Sequence, residues 1–578
     1  MKRIYNKWLK GGLLGLLAVF AFASCSDDHF DLNTSNASGT LWENLVATPG
    51  TANFAKILEK TIVNKKSYGV PATISYKDLL NSSRVFTVWA PKDGTYDEEK
   101  WLKLLEEGKN ELVEKQFVRN HIACFNYNGA YATSEKLQLY NQKYAVYDAA
   151  NNKFMGVDIS DGEYKNIASV NGTLHLLEGE APYSPSLREL IEITPETSDL
   201  CQYILDKDTL EFRESWSTPG STVNGQIQYV DSYFVESNKI LPYVAMNEDS
   251  LSAAIIPSNT AWQEAIDKIS PFYNYKETYV YYDDDAAKYV TDTIKADSLQ
   301  ELYTKEVIFD NMFYSLREQR GFDYTTADVN TVKNFFETAD SLVSTAYYYS
   351  SRTGHQHAPD CRVLTEGKTP LKGSNGYAFI TDHFNFKANK AWQYDIIVEA
   401  EYTSYYNQRL SKYYLPEGGL VYHSVTDGNR NDSVKGRVRN NAYIEYVPVN
   451  ASSKQTVAYD LPSVLSGTYD IYVVIVPENM TDPSNKNPKC NQFNATLQYD
   501  LDSKGKASTI KSDKTFKSDP SKVDTILLFE NFKFPYCYDH IRNSYQVLSL
   551  QVVRSVAEFK TVTTTMYIDC FILKGKDE

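Results

Sequence analysis

"RVFTVWAPKDGTY", residues 84 to 96, is a β-rich apolar run that stops at Pro91 and a polar turn. "LSAAIIPSNTAWQ", residues 251 to 263, has the same shape around Pro257. Such a pair points to an internal repeat, one supersecondary unit used twice. Apolar residues at helical spacing follow each run: Glu98 to Glu107 and Glu111 to Cys124 in the first copy, Ala261 to Ile269 and Leu299 to Phe313 in the second. Each copy then reaches an Asn-Gly pair that opens an extended run. These are Asn171-Gly172 in "SVNGTLHLLEG" (169–179) and Asn375-Gly376 in "GSNGYAFITDH" (373–383). Asn-Gly between extended runs signals a hairpin, because both residues tolerate positive φ.

The order of these pieces, "FTVWAP", then a helix ending in "VRNHI", then "VNGTLHLLEG", resembles the fasciclin domain, an α/β module with a compact strand wedge flanked by helices. The resemblance assigns Pro91, His121, Asn171, Gly172 and His175 to the family's structural motifs, with Pro257, Asn375 and Gly376 in the second copy. It implies that His121 and His175 hydrogen-bond within the core and are not catalytic. The second copy departs from the pattern: "VIFDNMF" stands where the histidine belongs, and Tyr377 and Phe379 flank Ala378 where the first copy has Leu174-His175. Its extra length covers a Tyr/Asp stretch and a histidine-bearing loop, as expected of a diverged domain with surface insertions.

From Trp392 onward the texture changes. Runs such as "YDIIVEAEY" (394–402), "GTYDIYVVIVP" (467–477), "YQVLSLQVVR" (545–554) and "MYIDCFIL" (566–573) belong to a set of about eight strands without helical stretches, the pattern of a sandwich or jelly roll. "VEAE", "SGTYDIYV" and "YIDCFIL" look like the galactose-binding-like jelly roll of carbohydrate-binding modules. The expected fold is therefore multidomain α+β: two fasciclin-like α/β wedge domains, 38–190 and 191–390, followed by an all-β jelly-roll sandwich, 391–578.

The N-terminus reads as an export signal. Lys2, Arg3, Lys7 and Lys10 precede an apolar stretch, Gly11 to Ala23, too short to span a bilayer. Ala23-Ser24-Cys25 resembles the lipobox of bacterial lipoproteins, although Phe22 replaces the usual aliphatic residue. Ser26, Asp27 and Asp28 resemble the export tag of surface-exposed lipoproteins in Bacteroidota-type bacteria. Residues 1–24 are thus read as a signal peptide, Cys25 as the lipidation site, and 25–37 as acylated N-terminus and tether. The expected location is the outer membrane, lipid-anchored and exposed at the cell surface, since acyl chains hold a protein on a membrane without a spanning helix.

Composition narrows the partners. The 578 residues carry a formal charge of −15 and no block of Lys or Arg, which disfavours nucleic acid. Beyond Cys25 the six cysteines have no C-x-x-C spacing, which speaks against a zinc ribbon; Cys490 and Cys537 are either a pair or buried thiols. Tyrosine is abundant, 45 residues, and clusters around Tyr405, Tyr406, Tyr413 and Tyr414. Such rings suit contact with sugars or proteins, and also fill strands.

Catalytic motifs are weak by comparison. There is no G-x-S-x-G. His355, His357, Asp360 and Cys361 read as a loop and not a metal site, and no metal or cofactor is expected. Glu399 and Glu401 share one strand face by alternation and read as edge-strand solubilisers. The expectation is a non-enzymatic surface lipoprotein binding glycan or protein, as an accessory subunit beside a TonB-dependent transporter and its lipoprotein lid. The alternative is an adhesin, with a glycan hydrolase third.

Overall fold

The computed structural model describes residues 37–63, 74–129, 133–212, 214, 218–223, 225–231, 234–283, 285–340, 342–345, 359–402, 419–425, 432–480, 482–541 and 546–577. It is a multidomain structure of mixed helix and sheet. Among these residues no helix is long and apolar enough to cross a membrane.

The first repeat begins with a capping box. Thr40 Oγ1 accepts the Glu43 N–H and Glu43 returns a carboxylate oxygen to the Thr40 N–H, which starts the helix Leu41–Ala47. A second helix, Ala52–Lys60, packs Phe54, Ile57 and Leu58 inward. The proline strand Phe86–Pro91 then lies parallel to the Asn-Gly strand Gly172–Leu177, in register from Phe86 opposite Gly172 to Pro91 opposite Leu177. Parallel neighbours need a long crossover, and the helices and inserted strands between them supply it. Ile122–Cys124 flanks the proline strand and Ile167–Ser169 flanks the Asn-Gly strand, completing four strands. The expected helix over Glu111 to Cys124 therefore ends early. A helical turn, Asn110–Val113, passes through a π turn and a 3-10 turn that ends at His121, and Ile122–Cys124 is sheet because its backbone pairs with Phe86–Val88. A four-stranded meander, Ser134–Gln138, Tyr144–Asp148, Lys153–Phe154 and Val157–Asp158, forms a second core with Trp89.

The second repeat follows the same plan. Ser186 and Glu189 form the capping box of Leu187–Ile193. Ser252–Pro257 pairs parallel with Gly376–Thr381, from Ser252 opposite Gly376 to Pro257 opposite Thr381, and Phe313–Ser315 and Leu371–Lys372 flank them. The helix expected to reach Phe313 runs Ala296–Asp310 and gives way to that flanking strand. One two-stranded ribbon, Thr278–Asp283 with Lys288–Thr293, lies in the extra length after Pro257; two more, Asp208–Phe212 with Phe234–Asn238 and Thr218–Val223 with Gln226–Asp231, precede the proline strand.

The C-terminal part is two six-stranded sheets over one core. One holds Ile396–Glu399, Gly419–Ser424, Ala442–Val447, Thr468–Ile475, Asp524–Lys533 and Met566–Gly575. The other holds Thr456–Leu461, Cys490–Leu501, Ala507–Lys511, Phe516–Lys517, Gln546–Val552 and Val562–Thr563. Residues of both, such as Ile471 and Leu548, share the interior, which makes this a β-sandwich.

Sandwich and second repeat are packed together. Leu465, Cys537, Tyr538 and Ile541 belong to the second repeat's core. Tyr279 donates to the Cys537 carbonyl at 2.5 Å and Tyr275 to the Asp539 carbonyl at 3.2 Å. The tyrosines of "YNYKETY" thus serve an internal contact. Gln393, in the connection, donates to the Thr468 carbonyl at 2.8 Å. A Cβ on Gly575 would fall 2.1 Å from the Gln393 carbonyl oxygen, so the connection is wedged against the sandwich. All six described cysteines are free thiols; Cys537 is buried in this contact and does not pair with Cys490.

A candidate functional site on the sandwich, and the anchors of the repeats

In each repeat the asparagine of the Asn-Gly pair does its work through the side chain. Asn171 Oδ1 accepts the Leu41 N–H at 2.8 Å, and its Nδ2 donates to the Leu80 and Ser82 carbonyls at 2.8 and 2.7 Å. Asn375 Oδ1 accepts the Leu187 N–H at 2.8 Å, with Nδ2 on the Ala245 and Asn247 carbonyls. Neither asparagine has positive φ, whereas Gly172 and Gly376 do, at 143° and 159°, so each hairpin draws that freedom from its glycine alone. Gly172 and Gly376 are needed for close approach: a Cβ would lie 1.8 Å from the Phe86 carbonyl oxygen in one and 2.0 Å from that of Ser252 in the other. Pro91 and Pro257 end their strands, and the next N–H groups, of Lys92 and Ser258, bond the Leu177 and Thr381 carbonyls.

His121 is enclosed. Its Nδ1 lies 2.8 Å from the Phe117 carbonyl and its Nε2 accepts the Ala181 N–H at 3.0 Å, which fixes a neutral ring with the proton on Nδ1. His175 stacks on Trp89 at 5.6 Å with Nε2 2.9 Å from the Tyr127 carbonyl. Burial holds both imidazoles down to about 4. By register, Met312 takes the place of His121 and Phe379 that of His175 in the second repeat. Neither histidine reaches a surface where it could meet a substrate.

A different set of residues forms the candidate site. The strand Ile396–Glu399 pairs with Met566–Gly575 so that Glu399 lies opposite Cys570, beside Asp569. A 3-10 turn, Ala400–Tyr402, then brings round Glu401, and a second, Arg439–Asn441, brings Arg439. Glu399, Asp569 and Cys570 offer ligand atoms within 4.8 Å of one another. Arg439 Nε bonds Glu399 Oε1, and the Arg439 N–H donates to Asp569 Oδ2 at 3.1 Å. Asn440 Nδ2 is 3.5 Å from Glu401 Oε1. That leaves Glu399 Oε2, Glu401 Oε2 and Asp569 Oδ1 buried with no hydrogen-bond partner among the described residues. Burial pushes Glu399 up, Glu401 up to about 8 and Asp569 up to about 7; burial likewise raises the Cys570 thiol.

Three orphaned carboxylate oxygens against one guanidinium are an unbalanced charge set, and a buried carboxylate pays for such a position by holding a proton or a cation. Oxygen donors suit a hard divalent ion such as Ca²⁺, and the neutral Cys570 thiol does not compete. The expected role of Glu399 and Glu401 as edge-strand solubilisers is therefore wrong. The strand ends at Glu399, which is buried, and Glu401 belongs to the following turn.

The chain is similar to a FAS1 domain pair. That solved structure, the FAS1 domain pair from the insect cell adhesion molecule Fasciclin I, shares 10% identity; the match covers 61% of this chain and 97% of that one, at a TM-score of 0.19. A Paenibacillus xanthan lyase shares 12% identity over 28% of this chain and 12% of its own length, at a TM-score of 0.17, so the chain spans a small part of that protein. No protein-family model matches the chain, and no curated protein does. The internal repeat stands on the matching registers and anchors of the two halves.

Of the remaining sequence expectations, Cys25, Tyr405, Tyr406, Tyr413, Tyr414, His355 and His357 lie outside the described residues. Asp360 is engaged by Arg362 at 2.8 and 2.9 Å, and Cys361 is buried in the second repeat's core. Sequence reading missed Asp569, Arg439 and a further repeat signal. "TLWENLVATPGT" (40–51) and "SLRELIEITPET" (186–197) align without a gap, and in both the last threonine hydroxyl bonds two preceding carbonyls, Thr51 to Leu45 and Thr48, Thr197 to Ile191 and Thr194. Asp569 was visible only as an acid inside an otherwise apolar strand, "YIDCFIL".

Proposed function

We propose that the protein is a non-enzymatic surface lipoprotein, anchored in the outer membrane through acylated Cys25, that binds a glycan or protein ligand as an accessory subunit of a TonB-dependent, starch-utilisation-like nutrient-uptake complex. In this reading the repeats are fasciclin domains and the sandwich is a galactose-binding-like jelly roll.

One observation carries it. The acidic cluster is built at the end of the strand that leads directly into residues 403–418, where Tyr405, Tyr406, Tyr413 and Tyr414 lie. A cation held by Glu399 and Asp569 would fix the end of the strand that precedes that tyrosine-rich segment. Rigid amphipathic rings on a fixed root suit a polar ligand, because little rotamer entropy is lost on contact.

Native isolation from the outer membrane in mild detergent tests the assembly: co-elution of a transporter and its lid supports an uptake subunit. Isolation of the protein alone, with binding to cells or matrix, would favour the adhesin reading instead. Tyr405→Ala with Tyr406→Ala tests the surface, with weakened ligand binding and unchanged folding as the expected result. Unaltered affinity would remove these residues from the site.

A further inference from the structure

The sandwich has two ends. The ends of Cys490–Leu501 and Thr456–Leu461 and the start of Gln546–Val552 face the second repeat, where Lys276 pairs with Asp500 and the Ser466 N–H bonds the Phe272 carbonyl. The opposite end is built from the loop 448–455, the residues before Cys490 and the turn "RSVAEFK", 554–560.

That far end carries apolar side chains in water. Val556 is 96% exposed, more than any other large apolar side chain among the described residues, and Phe559 is 52% exposed on the same turn. Val449, 57% exposed, is on the neighbouring loop, and Arg554 Nη2 ties the two loops together by bonding the Ala451 carbonyl. Isolated exposed apolar side chains are ordinary; three on two touching loops are not.

Most of the charges around them are positive, the carboxylate of Glu478 being taken up by the Lys489 N–H at 2.6 Å. Lys489 Nζ and the Arg554 guanidinium each lie 5.0 Å from the Phe559 ring, and Lys560 follows it in sequence. The acid of the turn, Glu558, is spent on the Ser555 capping box and on Lys517 Nζ at 3.4 Å. In a chain of net charge −15 this is an apolar tip in a basic collar.

We propose that this end of the sandwich docks on an anionic lipid surface, with Val556 and Phe559 entering the interfacial region and Arg554, Lys489 and Lys560 meeting headgroup phosphates. Apolar burial and charge attraction act together in such contacts, and the basic side chains need no partner on the protein to be balanced.

Hydrogen exchange of the full chain on vesicles tests this independently of any N-terminal anchor, because it reads the turn itself. On phosphatidylcholine vesicles containing phosphatidylglycerol, amide exchange over 553–561 is expected to slow, and on phosphatidylcholine alone to stay as in solution. Val556→Asp with Phe559→Asp is expected to abolish the slowing while leaving exchange in the core strand Cys490–Leu501 as it was. Unchanged exchange over 553–561 on the anionic vesicles would overturn the proposal. So would slowing by dextran sulfate but not by vesicles, which would assign the tip to an anionic polymer.

Discussion

Asn171 Oδ1 accepts the backbone N–H of Leu41 at 2.8 Å across 130 residues of chain. The bond ties the first helix of the repeat to the turn before its last strand, and Asn375 repeats it with Leu187 at the same distance. A side chain that satisfies an orphan helix N–H and two loop carbonyls closes the unit as a covalent clip would.

Asn171→Ala should destabilise the first repeat by about 2–4 kcal/mol, since it strands one buried donor and two acceptors. Urea unfolding followed by Trp fluorescence checks this. A loss under about 0.5 kcal/mol, the range of an ordinary surface change, would show that water replaces the side chain.

Gly172→Ala and Gly376→Ala should each cost more than the asparagine change. The added carbon would lie 1.8 or 2.0 Å from a carbonyl oxygen of the parallel neighbour, so the sheet itself must open. Limited proteolysis would show cleavage confined to the affected repeat; wild-type resistance would mean that the strands can slide apart at little cost.

The two buried histidines give a pH dependence of definite sign. Their folded values near 4 lie below the ordinary 6.5, so the unfolded chain binds more protons between these limits and stability falls as pH drops from about 6.5 to about 4. Each contributes a slope of about 1.4 kcal/mol per pH unit within that window. His175→Phe, the residue the second repeat uses at Phe379, should remove one histidine's share of the slope in denaturant titrations at several pH values. An unchanged slope would mean that His175 is already protonated.

The acidic cluster acts in the opposite direction. Glu401 and Asp569 are raised to about 8 and about 7, so their neutral forms stabilise the fold at low pH and that stability is lost as pH rises through these values. In chelator at pH 8, Asp569→Asn should therefore raise the melting temperature of the sandwich, and Ca²⁺ should raise it in the wild type but not in the variant. Identical melting with and without Ca²⁺ would leave protons as the only balance.

Much of the architecture was legible in the chain. The two proline strands and two Asn-Gly strands identify the repeat, because period-2 runs broken by proline and glycine are set by local backbone chemistry. The eight expected sandwich strands were found for the same reason, each near its expected place, whereas Gly419–Ser424, Ala507–Lys511, Phe516–Lys517 and Val562–Thr563 complete the twelve without having been expected. The helix read through Cys124 failed because Ile122–Cys124 has apolar residues that suit either structure, and only the neighbouring Phe86–Val88 decides between them. The free state of Cys537 and the burial of Tyr275 and Tyr279 were beyond local reading, since both depend on the sandwich packing against the second repeat.

By itself, then, the sequence determined the repeated strand–helix–hairpin plan, the all-β C-terminal part and the positions of the residues that anchor each repeat. Only the tertiary structure decided what those residues do. Asn171 became a helix anchor, Gly172 a site of backbone contact, and Glu399, Asp569 and Cys570 a single buried cluster with Glu401 beside it. Local pattern fixes which face of an element is apolar; it carries no information about which distant element will cover that face, and charge, burial and hydrogen bonding are set by that cover.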